Sequence, residues 1–162
     1  MKTLLLLRHA KSSWADERLS DFDRPLNDRG RQDAPRMGRL LRQQDLVPDL
    51  IIASPAKRAA ATAKRAAEAA GYEGEIRHAD DLYLAEPEVY LTLARGVDDR
   101  INSLMLVGHN PGIEECVGLL AGHDELMPTA GLACFRLPID RWADLRTTGQ
   151  YELVGVWRPK EL

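Results

Sequence analysis

The chain has 162 residues, of which 44% are hydrophobic and 29% charged, and its formal net charge is −3 at pH 7. This length fits one domain with a sizeable core, and we expect a single domain over residues 1–162. The slightly acidic balance argues against nucleic acid as a partner, and no apolar run approaches the ~20 residues that span a bilayer, so no membrane interaction is expected either.

The N-terminus and the two cysteines favour a cytoplasmic protein. Met1 and Lys2 lead directly into a strand-like segment without the pattern of a signal peptide. Cys116 and Cys134 lie in apolar surroundings without a partner at metal-ligand spacing. We expect both to be reduced core residues, because thiols in cytoplasmic proteins seldom form disulfides.

Apolar segments predict the strands. Buried parallel strands are expected at residues 3–7, 49–53 and 104–107. Because a helical pattern follows each of them, the chain reads as βα units. Residues 75–78 predict one more short strand, residues 132–139 and 151–157 an antiparallel edge pair, and residues 158–162 a loose tail. The predicted fold class is α/β, as a three-layer α/β/α sandwich with a mostly parallel sheet and an antiparallel edge.

Helical patterns connect these strands, at residues 27–44, 54–70, 86–95 and 112–120. Pro35 lies inside the first of them and is expected to kink it. Ser54 and Pro55 form the usual N-cap and first-residue pair of a helix, and Asn110 and Pro111 repeat this pattern before the last helix.

Residues suited to phosphoryl chemistry follow each of the three parallel strands, and they are Arg8, His9, Ser54, Arg58, His109 and Asn110. The carboxyl ends of parallel strands meet at one edge of the sheet, so we expect these residues to converge. A neutral imidazole is a nucleophile near pH 7, and arginines bind phosphoryl oxygens in pairs. The pattern predicts phosphoryl transfer in which one imidazole attacks phosphorus, and a second imidazole, if protonated, adds charge. Neither a metal nor a cofactor is required.

Each of these residues also has a purely structural interpretation. Arg58 is compatible with the solvated face of a helix, with Thr62 as its i+4 neighbour. His109 would then satisfy a loop carbonyl, and Asn110 would act only as a helix cap. Their placement at three matching strand–helix junctions favours the functional interpretation.

Several separated motifs resemble the histidine phosphatase superfamily, and within it the SixA-type phosphohistidine phosphatases. They are residues 7–11, 53–55 with Arg58 and Thr62, and 107–112. The segment Asp-Phe-Asp-Arg-Pro-Leu at 21–26 also resembles an Asp-x-x-Arg-Pro-Leu segment of that branch. The resemblance implies that His9 is the phosphorylated nucleophile and that Arg8, Arg58 and His109 form the phosphate pocket. It further implies that Asp21 and Arg24 border this pocket, with Ser12 and Asn110 as weaker candidates for its rim.

The sequence departs from larger members of that superfamily at their proton donor. Residues 81–86 lack an obvious glutamate there, and Glu86 and Glu88 are the candidates to replace it, although both are equally explained as first-turn acids of a helix. A serine alkoxide needs an acid to leave, whereas phosphohistidine expels neutral imidazole once its ring is protonated, with a free pKa of ~6.5. The expected function is therefore hydrolysis of phosphohistidine on a protein through a phospho-His9 intermediate. The alternatives are a phosphatase for a small metabolite or nucleotide, and a non-catalytic module that binds a phosphorylated ligand.

Overall fold

A computed structural model, which describes residues 1–162, contains one mixed sheet of six strands. The strands are β1 (Lys2–Arg8), β2 (Leu50–Ala53), β3 (Ile76–His78), β4 (Ser103–Gly108), β5 (Leu132–Leu137) and β6 (Glu152–Trp157). Their order in the sheet is β3-β2-β4-β1-β5-β6. The first four of these are mutually parallel, whereas β5 pairs antiparallel with both β1 and β6. The predicted parallel sheet with an antiparallel edge is confirmed.

Four helices cover the two faces of this sheet, and they are α1 (Asp28–Gln43), α2 (Lys57–Ala70), α3 (Pro87–Arg95) and α4 (Gly112–Ala121). Alternate residues of β1 separate the two cores, because successive side chains of a strand point to opposite faces. Leu5 and Leu7 pack with α1 and α2, whereas Leu4 and Leu6 pack with α3 and α4. The α/β/α layering follows from this alternation. No helix is both long and apolar enough to cross a bilayer.

The helix termini depart from the predictions where a side chain has a tertiary partner. Asn27 caps α1 as predicted, since its Oδ1 accepts from the Gly30 N–H at 2.9 Å. The helix continues through Pro35 without a break, because α1 is buried against the core on both sides of that residue. The prediction that Ser54 caps α2 is wrong, because that helix begins at Lys57 after Ala56. The Asn110 side chain does not cap α4 either, where the N-cap residue is Pro111.

The C-terminal residues are held rather than loose. Pro159–Glu161 form a short 3-10 turn, and Pro159 is buried. Its carbonyl accepts from Arg36 Nη2 at 3.2 Å, which ties this turn to α1. The prediction of a loose tail is therefore wrong, because a contact distant in sequence anchors it.

Two glycines of α4 predict opposite effects of substitution. A Cβ on Gly112 would lie 1.8 Å from the backbone oxygen of Ala85, whereas the nearest atom to a Cβ on Gly118 is 3.6 Å away. We expect Gly112→Ala to lower the free energy of unfolding by about 1–3 kcal/mol, because a backbone oxygen cannot rotate away. Gly118→Ala should be neutral or stabilising by up to about 1 kcal/mol, because alanine is the better helix former. Urea unfolding measures both, and equal effects would contradict the close packing at Gly112.

Candidate active site

His9 lies where β1 opens into the following loop, and it is 7% exposed. Its Nδ1 is 2.8 Å from the carbonyl oxygen of Ala10. A carbonyl oxygen only accepts hydrogen bonds, so Nδ1 carries the hydrogen and Nε2 keeps a free lone pair. Burial lowers the pKa of His9 to about 3, and its positive neighbours act in the same direction. At neutral pH the ring is therefore neutral and nucleophilic at Nε2.

His109 faces His9 from the end of β4, with 5.2 Å between the ring centroids. Its Nδ1 is 3.4 Å from Arg58 Nη2, and a guanidinium can only donate, so Nε2 carries the hydrogen and donates to Ser54 Oγ at 2.7 Å. Burial and the charge of Arg58 lower the pKa of His109 to about 4. The imidazole is thus neutral without a ligand, and a bound anion would be needed to favour its charged form. Ser54 is fully buried and orients this ring instead of capping a helix.

Arg58 is 2% exposed, so its interpretation as a solvated helix residue is wrong. Nη1 donates to the backbone oxygen of Asp21 at 2.7 Å, and Nη2 donates to Asp21 Oδ2 at 3.0 Å. Thr62 lies one turn further along α2, where Oγ1 donates to the Arg58 oxygen at 2.7 Å and accepts from the Ala10 N–H at 2.9 Å. Thr62 therefore joins α2 to the loop that carries His9.

Arg8 is held by a network that connects β1 with α4. Its Nη1 donates to the Met127 oxygen at 3.1 Å, and that oxygen also accepts from Asn110 Nδ2 at 2.9 Å. Glu114 Oε2 accepts from the Met127 N–H at 2.8 Å and from Asn110 at 3.3 Å. Glu114 was not among the residues predicted from the sequence. The available signal was its i+4 spacing from Asn110.

Asp21 joins the remaining predicted residues to the side chains described above. We call this connected set of side chains around His9 and His109 the cluster. Oδ1 accepts from Arg24 Nη2 at 3.0 Å, and Oδ2 accepts from the Tyr83 hydroxyl at 2.6 Å. Arg24 in turn donates to Ser12 Oγ at 2.7 Å. Partial burial opposes ionisation, but hydrogen bonds from Tyr83, Arg24 and Arg58 together lower the pKa of Asp21 to about 2. Asp21 is therefore ionised at neutral pH. Tyr83 also meets the His109 ring edge to face. Nothing in the sequence predicts this role for Tyr83 except that it lies in residues 81–86, where an acid was sought.

The two glutamates proposed as acids do not join the cluster. Glu88 is exposed, accepts from Thr147 Oγ1 at 2.9 Å and lies 3.7 Å from Arg95. Glu86 is exposed at the N-cap of α3 and hydrogen-bonds to none of the cluster residues. Both are therefore exposed at the start of a helix, and no hydrogen bond connects either of them to the cluster. No group of three or more His, Cys, Asp and Glu side chains has metal-binding geometry.

The cysteines are separate from this chemistry. Cys116 and Cys134 are buried and free, as predicted. Burial raises the pKa of Cys116 to about 12 and that of Cys134 to about 11, so both are thiols at neutral pH.

Exposed apolar side chains occur in the segments that supply the cluster residues. Of the eight large hydrophobic residues that are exposed, five lie in segments that also supply cluster contacts, namely Trp14, Leu19, Phe22, Leu84 and Leu126. Trp14 is 72% exposed and lies over the Arg24 guanidinium, 3.5 Å from the ring centroid. Phe22 meets Tyr83 edge to face, with centroids 5.1 Å apart. We call these five residues the apolar rim.

One family model and several known proteins are similar to this chain. The family model of the histidine phosphatase superfamily (branch 1) matches residues 4–83. An uncharacterized protein of Mycobacterium tuberculosis is 33% identical over 95% of this chain and 100% of its own length. An uncharacterized chloroplastic protein of Arabidopsis thaliana is 29% identical over 98% of this chain and 78% of its own length. A crystal structure from Agrobacterium tumefaciens, named as the phosphohistidine phosphatase SixA, is 32% identical, covers 98% of both chains and has a TM-score of 0.83.

The neutral histidines predict an acid-sensitive fold. Between about pH 4 and 6.5 the unfolded chain binds protons on its histidines, with a pKa of ~6.5, whereas folded His9 and His109 stay neutral because their pKa values are about 3 and 4. The free energy of unfolding should therefore fall with decreasing pH, by at most ~1.4 kcal/mol per pH unit for each imidazole. Urea unfolding at several pH values measures this slope. His9→Asn should lower it by about half, and an unchanged slope in that variant would contradict a neutral His9.

Arg58 predicts the affinity for an oxyanion. Tungstate or vanadate should inhibit competitively, and Arg58→Ala should raise the inhibition constant roughly 10- to 100-fold, because a hydrogen bond to a charged group is lost. Arg65→Ala is the matched control, since Arg65 is an exposed residue of the same helix. An unchanged inhibition constant in folded Arg58→Ala would remove Arg58 from the anion site.

Proposed function

We propose that this chain, a phosphatase that belongs to the histidine phosphatase superfamily, hydrolyses phosphohistidine on a protein through a phospho-His9 intermediate. In this proposal Arg8, Arg58 and His109 bind the phosphoryl group. Asp21, Arg24 and Ser12 hold the loop around it, and Asn110 acts through Met127 to orient Arg8.

The hydrogen bonds that Arg24, Arg58 and Tyr83 donate to the Asp21 carboxylate are the observation that carries the choice of substrate. Asp21 is the carboxylate in direct contact with Arg58, and its pKa of about 2 leaves it without a proton to donate at neutral pH. An alkoxide leaving group needs a general acid. Phosphohistidine brings its own proton on the imidazole ring and leaves as neutral imidazole, so it fits a site in which the carboxylate beside Arg58 has no proton to donate.

The reaction then runs in two displacements. The free lone pair of His9 Nε2 forms a bond to phosphorus while the nitrogen–phosphorus bond of the substrate breaks, and the electron pair of that bond goes to the departing imidazole. The transferred oxygens lie against Arg8 and Arg58, whose charge stabilises the transition state. Water then attacks the phosphorus of phospho-His9 while the bond between phosphorus and His9 Nε2 breaks and returns its electron pair to the ring. Inorganic phosphate leaves with the protons of that water.

The apolar rim supports a macromolecular substrate. Exposed apolar groups clustered around a polar site are typical of protein-binding surfaces, because their contact with water is unfavourable until a partner covers them. Trp14 and Leu126 are each more than 70% exposed. A small phosphorylated metabolite would leave most of this surface uncovered.

Matched peptides test the proposal. Two peptides that are identical except at the phosphorylated residue, which is histidine in one and serine in the other, differ in the leaving group. We expect kcat/KM for phosphohistidine to be higher by roughly 10²-fold or more, because only the serine needs an acid. His9→Asn should reduce turnover roughly 10³-fold or more, whereas Glu86→Gln and Glu88→Gln should leave it nearly unchanged.

The remaining alternatives give different results in the same assay. A sugar or nucleotide phosphate that is hydrolysed more efficiently than phosphohistidine would make the protein a metabolite phosphatase. Binding without turnover of any substrate would indicate a non-catalytic module. Full activity in folded His9→Asn would exclude the phospho-His9 intermediate.

A further inference from the structure

A cavity of about 310 Å³, separate from the catalytic residues proposed above, is lined in part by residues near His9. No hydrophobic side chain lines it, and its charged lining consists of Lys11, Arg29, Arg158, Lys160, Asp33 and Glu161. We call it the basic cavity. Four cations against two carboxylates give it a local positive charge in a chain whose net charge is −3.

Two residues that line the basic cavity, Lys11 and Thr129, lie close to His9. Lys11 is two positions after His9, which limits the distance between their Cα atoms to ~7 Å. Thr129, which also lines the cavity, precedes Ala130, whose N–H donates to the His9 oxygen at 2.9 Å. Because β5 and β6 are antiparallel to each other, the start of β5 and the end of β6 lie at the edge of the sheet where β1 ends. The cavity and the cluster therefore open at the same edge.

The carboxylates of the basic cavity are already neutralised. Asp33 lies 3.4 Å from Arg29 and also 3.2 Å from Arg36, which is outside the cavity lining. Glu161 lies 3.6 Å from Arg158. Arg158 is shared with Glu125, outside the lining, at 2.8 Å. Each carboxylate of the cavity is thus paired with a guanidinium and not with a lysine.

The two lysines have no such partner. Lys11 and Lys160 are exposed, and neither forms an ion pair within 4.0 Å. They approach one cavity from opposite ends of the chain, one from the loop after β1 and the other from the C-terminal turn. The two ammonium groups repel each other, and an anion bound between them would offset this repulsion because it attracts both.

We propose that the basic cavity binds a second anionic group of the substrate, a carboxylate or a phosphate, while the phosphoryl group lies against His9. The inference rests on the proposed function, because it names what that substrate carries next to its phosphoryl group. An acidic side chain beside the phosphorylated residue of a protein is one source of this group, and a second acidic group of a small molecule is the other.

Two pairs of substrates separate these sources. The first pair consists of phosphohistidine peptides flanked by aspartate or by asparagine, and the second of phenyl phosphate and 3-carboxyphenyl phosphate. For wild-type protein at low ionic strength we expect the anionic member of a pair to have the lower KM by roughly three- to tenfold, since each exposed ion pair contributes only modestly. High salt should abolish the difference, because salt screens exposed charges.

Lysine variants assign the effect to the cavity. Lys160→Gln should reduce the KM difference about two- to threefold with kcat unchanged, and Lys11→Gln combined with Lys160→Gln should abolish it. Lys64→Gln, which removes the same charge from an exposed position of α2, is the matched control and should keep the difference.

The outcomes are distinct from those of the proposed function. A KM difference that depends on Lys160 in the peptide pair supports an acidic protein segment, and one confined to the aryl pair supports a small molecule with two acidic groups. The aryl pair remains informative if phosphohistidine is not hydrolysed at all. Equal KM values within both pairs, or a difference that Lys160→Gln leaves intact, would overturn the inference.

Discussion

The contact between Arg58 and Asp21 is the interaction on which the site depends. A guanidinium that is 2% exposed is costly unless a partner compensates its charge, and Asp21 does so through both its backbone oxygen and its carboxylate. Asp21 belongs to a loop with little regular structure, so the same contact holds that loop against α2. Tyr83 donates to the same carboxylate oxygen of Asp21 as Arg58 does. Arg24 donates to the other oxygen and extends the network to Ser12.

The burial that creates this network also sets the protonation states. Both histidines are buried, and guanidinium groups lie near them. Burial and the neighbouring positive charges each oppose protonation of the imidazole rings. For His9 neutrality is an advantage, because the neutral imidazole is the nucleophile. For His109 it means that binding of an anion and uptake of a proton favour each other, so the charge of this ring depends on the occupancy of the site.

The order of the strands explains why so much chemistry lies at one edge. β1 and β4 are neighbours at the centre of the sheet, and their carboxyl ends carry His9 and His109. The helices that follow the parallel strands cover opposite faces, which leaves a crevice beyond the strand ends. Residues 127–130, which lie between α4 and the antiparallel β5, form a wall of that crevice and contact both Arg8 and His9.

By itself the sequence determined the alternation of strands and helices, because the burial of apolar residues follows a local period that can be read along the chain. It also predicted that Arg8, His9, Arg58 and His109 converge, because their motifs follow predicted strands. Only the tertiary structure decided that Ser54 orients His109, that Tyr83 and Glu114 join the network, and that Glu86 and Glu88 do not. Ser54 and His109 are 55 positions apart and Tyr83 and Asp21 are 62 apart, so their contacts arise only when the packed sheet brings distant loops together.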